Sequence, residues 1–275
     1  MPTNNQDQAQ TLRRLFGQRG PERDAAGLEP TVLVVSGGST GSGASPMLAE
    51  LGVRLSRAKL RVLMIDRAGA LERLAAVSAS VTRAPNAMSE LASGLSLLPA
   101  SADPRAAATR ARDFDVVLID AGEGAGEGPL ALHHPRFTSV VILTPDPASL
   151  ADAYGLVKGL RNRRGITRAS VIVNGVTDGR EGQKAYQGLA AVSDRFLDIQ
   201  LDYLGHRVHD EKNTQPVLIS DFLINLDEEA RSFSCLELLS KRIHSEFAER
   251  LLRVEDRSAA RNMSGFWGTF TEVSK

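Results

Sequence analysis

The stretch Thr31–Ser45 reads TVLVVSGGSTGSGAS, an apolar run that leads directly into a glycine-rich turn. Gly38 and Gly43 have the G-x-x-x-x-G spacing of a loop that binds phosphate through its backbone N–H groups. Loops of this type carry a lysine after the last glycine, but here that residue is Ala44, and the hydroxyl residue Ser45 follows. The pattern predicts a strand, a phosphate-type loop and a helix, with one expected cation missing.

Short runs rich in β-branched residues recur along the chain, separated by longer segments that favour helices. The runs are TVLVVS, RVLMID, DVVLID, SVVILT and ASVIVN. Strands that are apolar almost throughout need a sheet covered on both faces. Strands that alternate with helices form parallel βαβ units. The sequence therefore predicts an α/β fold, a doubly wound and mostly parallel sheet with helices on both faces.

Composition narrows the class of protein. The 275 residues carry a net charge of +0 and are 42% hydrophobic, as in soluble globular proteins. Without net positive charge, we expect no direct nucleic-acid partner. The single cysteine, Cys235, lies in an apolar helical run and is predicted to be a core residue. No run approaches the roughly 20 apolar residues of a membrane span. The first residues contain no apolar core of an export signal, and one cysteine fits a reducing compartment, so a cytoplasmic location is expected.

The chain divides into four predicted parts. Residues 1–18 form an arm with helical propensity, and residues 19–30 form a linker rich in Gly, Pro and charge. Residues 31–250 form the α/β domain, and residues 251–275 form a tail. The tail contains the aromatic cluster Phe266, Trp267 and Phe270. Peripheral contact of this tail with the inner face of the cytoplasmic membrane and contact with a partner protein are both left open.

Two carboxylates end predicted strands at the same edge of the sheet. Asp66 ends VLMID and Asp120 ends VVLID. The carboxyl ends of parallel strands border the crevice in which ligands of such folds bind. A carboxylate at the position of Asp120 can hold magnesium through water, and the hydroxyl of Ser45 can ligate the same ion.

A dehydrogenase is an alternative interpretation of the same loop. Ser36, Gly37, Gly41 and Gly43 fit the S-G-x-x-x-G-x-G turn of short-chain dehydrogenases, and Tyr154 with Lys158 supplies their Y-x-x-x-K spacing. Tyr154, however, follows Asp120 by only 34 residues. That interval is too short for the strand and helices which that family places there, so this interpretation is disfavoured.

Three segments, in order, resemble the MinD/ParA class of P-loop ATPases, and more closely its FlhG (FleN) branch. They are DQAQTLRRL at residues 7–15, LTPDPASLADAYGLVKGL at 143–160 and FLDIQLDYLGHRVHD at 196–210. FlhG-type proteins regulate flagellar number, placement and assembly. By resemblance, Asn174 matches the asparagine that reads adenine. The implied nucleotide-binding residues are Gly38, Ser39, Gly41, Gly43, Ala44, Ser45, Asp66, Asp120, Gly122 and Asn174.

The chain departs from the family pattern where phosphate chemistry is concentrated. The family loop reads G-K-G-G-V-G-K-[T/S], so Ser39 and Ala44 replace both lysines. The family's D-x-D reads Asp66-Arg67-Ala68, and Glu123 replaces an alanine. Because phosphoryl transfer depends on positioned charge, we assign no catalytic residue and expect a pseudo-ATPase.

The same departures lower the expected affinity for a nucleotide cofactor. No cofactor is certain, and Mg-ATP is expected to bind weakly at most. Ser45 and Asp120 would be metal ligands only if nucleotide binds, and Arg67 is a candidate replacement cation.

The arm carries the expected partner site. In the FlhG branch, this segment binds and stimulates FlhF, a GTPase of the signal-recognition-particle type. The matching residues are Asp7, Gln8, Ala9, Leu12 and Arg13. Flagellar basal-body or regulatory proteins are further candidate partners. Two alternatives stay open: a working ATP switch that cycles on the membrane, and a MinD-like accessory of another envelope or partitioning system.

Overall fold

The computed structural model describes residues 29–75, 88–99, 101–102, 110–209 and 235–246. The predicted arm, most of the linker, the tail and its aromatic cluster lie outside these ranges. The strands are β1 (Thr31–Gly37), β2 (Val62–Asp66), β3 (Ser89–Ala92), β4 (Leu95–Leu98), β5 (Val116–Glu123), β6 (Thr138–Leu143), β7 (Arg168–Val176) and β8 (Gln200–Val208). The helices are α1 (Ala44–Arg57), α2 (Ala70–Ala75), α3 (Glu127–Leu132), α4 (Pro147–Arg164), α5 (Gly179–Leu197) and α6 (residues 235–246).

The strands form one sheet in the order β3-β4-β2-β5-β1-β6-β7-β8. All neighbouring pairs are parallel except β3 with β4. The expected doubly wound, mostly parallel sheet is therefore confirmed. β1 lies between β5 and β6, so the glycine loop that follows β1 emerges at the centre of the carboxyl edge.

Helices cover both faces of the sheet, which explains why the strands are apolar throughout. Leu33 and Val35 of β1 pack in the same cluster as α1 and α6, whereas Val32 and Val34 point to the opposite face and pack with residues of α3. Cys235 is buried in α6, as predicted, and its burial raises the pKa of its thiol to about 11. In the described ranges, no helix is long and apolar enough to cross a bilayer.

Three strands were not among the five predicted runs. β3 and β4 form a short antiparallel hairpin of four residues each, and β8 extends the other edge. β8 contains Gly205 and charged residues such as Asp202 and Arg207, and most of its residues are only half-buried. A half-buried edge strand lacks the continuous apolar signal that identifies central strands.

A buried histidine connects β1, α3 and β6. The Nε2 atom of His133 lies 2.8 Å from Ser36 Oγ, and its Nδ1 atom lies 2.8 Å from Ser139 Oγ. Burial, with a smaller contribution from the charge of Arg164, lowers the pKa of His133 to about 3. Ser36 is also fully buried, so this serine–histidine pair has no access to substrate and acts in packing.

The buried neutral histidine predicts a loss of stability in mild acid. A histidine whose folded-state pKa is depressed stabilises the fold above its unfolded pKa of about 6.5 and loses that contribution as pH falls toward the folded value. Between pH 7.5 and 5, we expect His133 to lower the free energy of unfolding by about 2 kcal/mol. Urea unfolding at each pH measures this fall.

The comparison variant is His133→Gln, which lacks the titrating ring. It should be less stable than wild type at pH 7.5, and the difference should shrink by most of that amount at pH 5. His209→Gln, at an exposed position, is the control and should follow wild type. Parallel pH profiles for wild type and His133→Gln would contradict the prediction.

Candidate functional site

The phosphate-type loop joins β1 to α1 and requires glycine for its shape. Gly41 and Gly43 have φ angles of 83° and 81°, in the left-handed region that glycine adopts readily. A Cβ atom on Gly43 would lie 2.3 Å from Nδ2 of Asn174, so a side chain there would displace its neighbour. The loop thus has the backbone form that its spacing predicts.

Neighbouring strands and helices hold the loop in place. Asn174, at the carboxyl edge of β7, donates from Nδ2 to the carbonyl oxygen of Ser42 at 2.8 Å. The backbone N–H of Gly38 donates to the carbonyl oxygen of Ile142 at 2.8 Å. A Cβ atom on Gly38 would lie 2.9 Å from backbone atoms of Ala153 in α4. Asn174 therefore contacts the loop, and its adenine-reading role stays a prediction.

Ser39 and Ala44 occupy the two family lysine positions. The hydroxyl of Ser39 donates to Ser149 Oγ near the start of α4 at 3.1 Å. Ser149 Oγ also accepts from the backbone N–H of Thr144, so this contact belongs to the packing between the loop and α4. Ala44, the first residue of α1, is 2% exposed. Neither side chain supplies positive charge to the loop.

Ser45 and Asp120 are brought together, as predicted. Asp120 is fully buried, and burial raises its pKa to about 6; the Ser45 hydroxyl and the Gly122 N–H oppose this rise, whereas the charges of Asp66 and Glu123 add to it. Its Oδ1 accepts from the N–H of Gly122 at 3.0 Å, and its Oδ2 makes no hydrogen bond to described residues.

This free acceptor beside a hydroxyl fits the pair of magnesium ligands that the sequence predicts. In the described part of the chain, no cluster of three or more His, Cys, Asp or Glu residues is placed to hold a metal by itself. A metal here would depend on the phosphates of a bound nucleotide for further ligands.

The carboxylate of Asp66 has different hydrogen-bond partners from that of Asp120, although the two residues are register partners on β2 and β5. Its Oδ1 accepts from the N–H groups of Ala68 and Gly69 at 3.0 and 2.7 Å, and its Oδ2 accepts from the N–H of Glu72 at 2.8 Å. The carboxylate therefore fixes the turn between β2 and α2.

A cavity of about 440 Å³ opens beside the loop. Its lining includes Thr40, Ser45, Arg67, Arg73, Gly122 and Glu123. Burial lowers the pKa of Arg67, and the charge of Asp66 partly offsets this effect. Arg67 and Arg73 thus bring two guanidinium groups to the cavity that Thr40 and Ser45 also border. Arg73 lies in α2, and no motif in the sequence distinguishes it.

Glu123 also contacts the loop directly. Its Oε1 accepts from the backbone N–H of Gly41 at 3.0 Å. The family pattern marks Glu123 as a departure but does not place it on a loop amide. Its position near the loop could have been expected, because Glu123 follows Asp120 by three residues at the end of the same strand.

The residues of the dehydrogenase alternative do not assemble into a site of that kind. Tyr154 and Lys158 lie on α4, and the ring of Tyr154 packs against the cluster formed by α4, α5, β6 and β7. The tyrosine is a packing residue, and the topology is not the one that this alternative requires.

Curated relatives were found among flagellar proteins. The antiactivator FleN of Pseudomonas aeruginosa is 32% identical over 99 residues, which are 36% of this chain and 35% of FleN. The flagellum site-determining protein YlxH of Helicobacter pylori is 30% identical over 93 residues, 34% of this chain and 31% of YlxH. The match thus spans about a third of each relative's length. No protein-family model matches the chain.

Solved structures match most of the chain. The MinD cell division protein of Aquifex aeolicus has a TM-score of 0.58 and 20% identity, with 78% of this chain and 97% of that chain covered. A ParA family ATPase of Chlorobium tepidum has a TM-score of 0.53 and 17% identity, with 82% and 99% covered. The chain therefore has the MinD/ParA type of P-loop fold and is similar in sequence to the flagellar proteins FleN and YlxH, as its motifs predict.

Proposed function

We propose that this protein regulates flagellar number or placement and that it acts through protein partners, with an impaired nucleotide site. Similarity to an antiactivator and to a flagellum site-determining protein supports the flagellar role. We propose a cytoplasmic location, with peripheral contact at the inner face of the cytoplasmic membrane left open, because the proposed GTPase partner would act there.

The impaired nucleotide site is proposed because both lysine positions of the loop lack positive charge. Ala44 has no polar group, and the hydroxyl of Ser39 bonds to Ser149. A charge-assisted contact to phosphate is worth on the order of 1.5–3 kcal/mol. Losing two such contacts weakens nucleotide binding by roughly two to four decades.

A working ATP switch is the second candidate, and two observations favour it. Ser45 and Asp120 are adjacent, as a magnesium site requires, and Arg67 and Arg73 line the cavity beside the loop. In that case the loop amides would hold the phosphates, and bound Mg-ATP would supply the γ-phosphate whose gain and loss define the two states. The two candidates differ in the affinity for nucleotide.

The proposed partner is a GTPase similar to FlhF. The support is the arm motif DQAQTLRRL, which lies outside the described residues. A MinD chain of the same fold has been solved in complex with MinC, with a TM-score of 0.57 to this chain. Binding through the arm needs no ATP hydrolysis in the domain, so the two parts of the proposal are compatible.

Calorimetry with Mg-ATP tests the impaired site. We expect wild type to show no saturation at millimolar Mg-ATP, because both loop cations are missing. The variant Ser39→Lys/Ala44→Lys should bind more tightly, by roughly two decades or more. Tight binding by wild type would refute the impaired site and favour the switch.

Complementation tests whether the flagellar role needs nucleotide. Deleting the gene should change the number or position of flagella counted by electron microscopy, and wild type should restore them. Ser45→Ala removes the hydroxyl that a magnesium site requires, yet it should restore flagella equally well if the protein acts through partners. Failure of Ser45→Ala at normal protein level would favour the ATP switch. Normal flagella in the deletion strain would remove the flagellar role altogether.

Two substitutions in the arm test the partner. Leu12→Ala/Arg13→Glu should abolish binding and stimulation of the FlhF-like GTPase in a purified assay, because they remove an apolar contact and reverse a charge. Arg14→Glu makes the same charge change at a position that is not one of the matching residues; it is the control and should retain binding. Unchanged stimulation by the double variant would show that the arm is not the binding segment.

A further inference from the structure

Glu123 is held above the phosphate-type loop by the backbone on both sides of it. It lies between Gly122 and Gly124, whose φ angles are 83° and 81°. After a register shift in the pairing of β1 with β5, Glu123 becomes the partner of Gly37. The N–H of Gly124 donates to the carbonyl oxygen of Gly37 at 2.8 Å. These contacts fix the point from which the Glu123 side chain extends.

The side chain reaches the loop because Gly37 leaves space for it. A Cβ atom on Gly37 would lie 3.1 Å from Cγ of Glu123 and 2.2 Å from Oγ of Ser42. The carboxylate then accepts from the N–H of Gly41, with 3.0 Å between Oε1 and N. The loop N–H groups of this motif are the groups that bind phosphate oxygens.

A carboxylate on such an amide competes with phosphate for two reasons. It accepts the same hydrogen bond, with the extra strength of a charged acceptor. It also places negative charge near the site, and this charge contributes to the raised pKa of Asp120. Because Glu123 belongs to the same chain, it binds the amide without the loss of translational freedom that a separate ligand incurs.

The geometry points to Glu123 as an internal ligand of the loop, which excludes phosphate esters by occupying the Gly41 amide. This inference rests on the proposed impaired site and adds a cause that is independent of the missing lysines. It follows that restoring a lysine alone leaves part of the affinity unrecovered.

The test compares variants in an Ala44→Lys background, where the loop cation is present. Mg-ATP is titrated by calorimetry into Ala44→Lys, Ala44→Lys/Glu123→Ala, Ala44→Lys/Glu123→Gln and Ala44→Lys/Glu127→Ala. Glu127 is the matched control, because it carries the same charge four residues away but pairs with Arg163 instead of the loop. We expect Glu123→Ala to tighten binding at least about tenfold, Glu123→Gln to tighten it less, and Glu127→Ala to leave it unchanged.

Hydrogen exchange at the Gly41 amide measures the contact without nucleotide. In the wild-type background, exchange should be faster in Glu123→Ala than in wild type and Glu127→Ala, because the acceptor is gone. Glu123 is exposed, so its removal is compatible with folding, which circular dichroism verifies.

Three results would overturn the inference. They are equal affinity of Ala44→Lys with and without Glu123, absence of binding in both, and an unchanged exchange rate at Gly41. Tight binding of Mg-ATP by wild type would refute the impaired site together with this inference. Weak binding by wild type with equal affinity of the two Ala44→Lys variants would refute this inference alone. An equal gain from Glu127→Ala would show a general charge effect in place of a specific contact.

Discussion

Parallel pairing of β1 with β5 is the constraint on which the site depends. Val35 is in register with Asp120, and the shift after Val35 brings Gly37 opposite Glu123. Without that shift, Gly37 would be opposite Gly122, and no side chain at that register position would extend toward the loop. The relative positions of loop, carboxylates and cavity follow from this pairing, because all of them are carried on the carboxyl ends of adjacent strands.

Charge at this edge of the sheet is distributed differently from that of a phosphate-binding site with loop lysines. Asp66, Asp120 and Glu123 lie close enough for the first and third to raise the pKa of the second. Arg67 and Arg73, from the turn and helix that follow β2, line the same cavity as Glu123. Glu123 contacts the loop directly, whereas the two arginines belong to other elements. An anion entering this cavity meets side chains of both signs, in contrast to a loop that carries lysines.

Local patterns in the sequence predicted the central strands and the loop, because each depends on one strand or one turn. Ser45 and Asp120 lie close together because β5 pairs with β1, and their role as metal ligands stays a prediction. The patterns did not predict β8, whose half-buried residues lack an apolar run. They also could not show that the Asp66 carboxylate accepts hydrogen bonds from three backbone N–H groups that follow it, because Asp66 and Asp120 end similar apolar runs. Arg73 reaches the site from α2, and no motif in the sequence distinguishes it. The end of β5 places Glu123 near the loop, but its contact with the Gly41 amide depends on the register shift between β1 and β5, which no sequence spacing encodes.

The tight packing of the loop separates two kinds of sequence change. Gly38 lies against backbone atoms of Ala153, so a larger residue there would have to displace α4. Gly43 lies against the side-chain amide of Asn174, and its φ of 81° is unfavourable for residues with a side chain. The backbone at the positions after Gly38 and after Gly43 does not require glycine, and there the chain has Ser39, which bonds to Ser149, and the buried Ala44. The glycines are thus required by the architecture of the domain, whereas the lysines are required only by a ligand. The glycine spacing of such a loop indicates the fold alone. Whether a nucleotide binds depends on the charged residues around it.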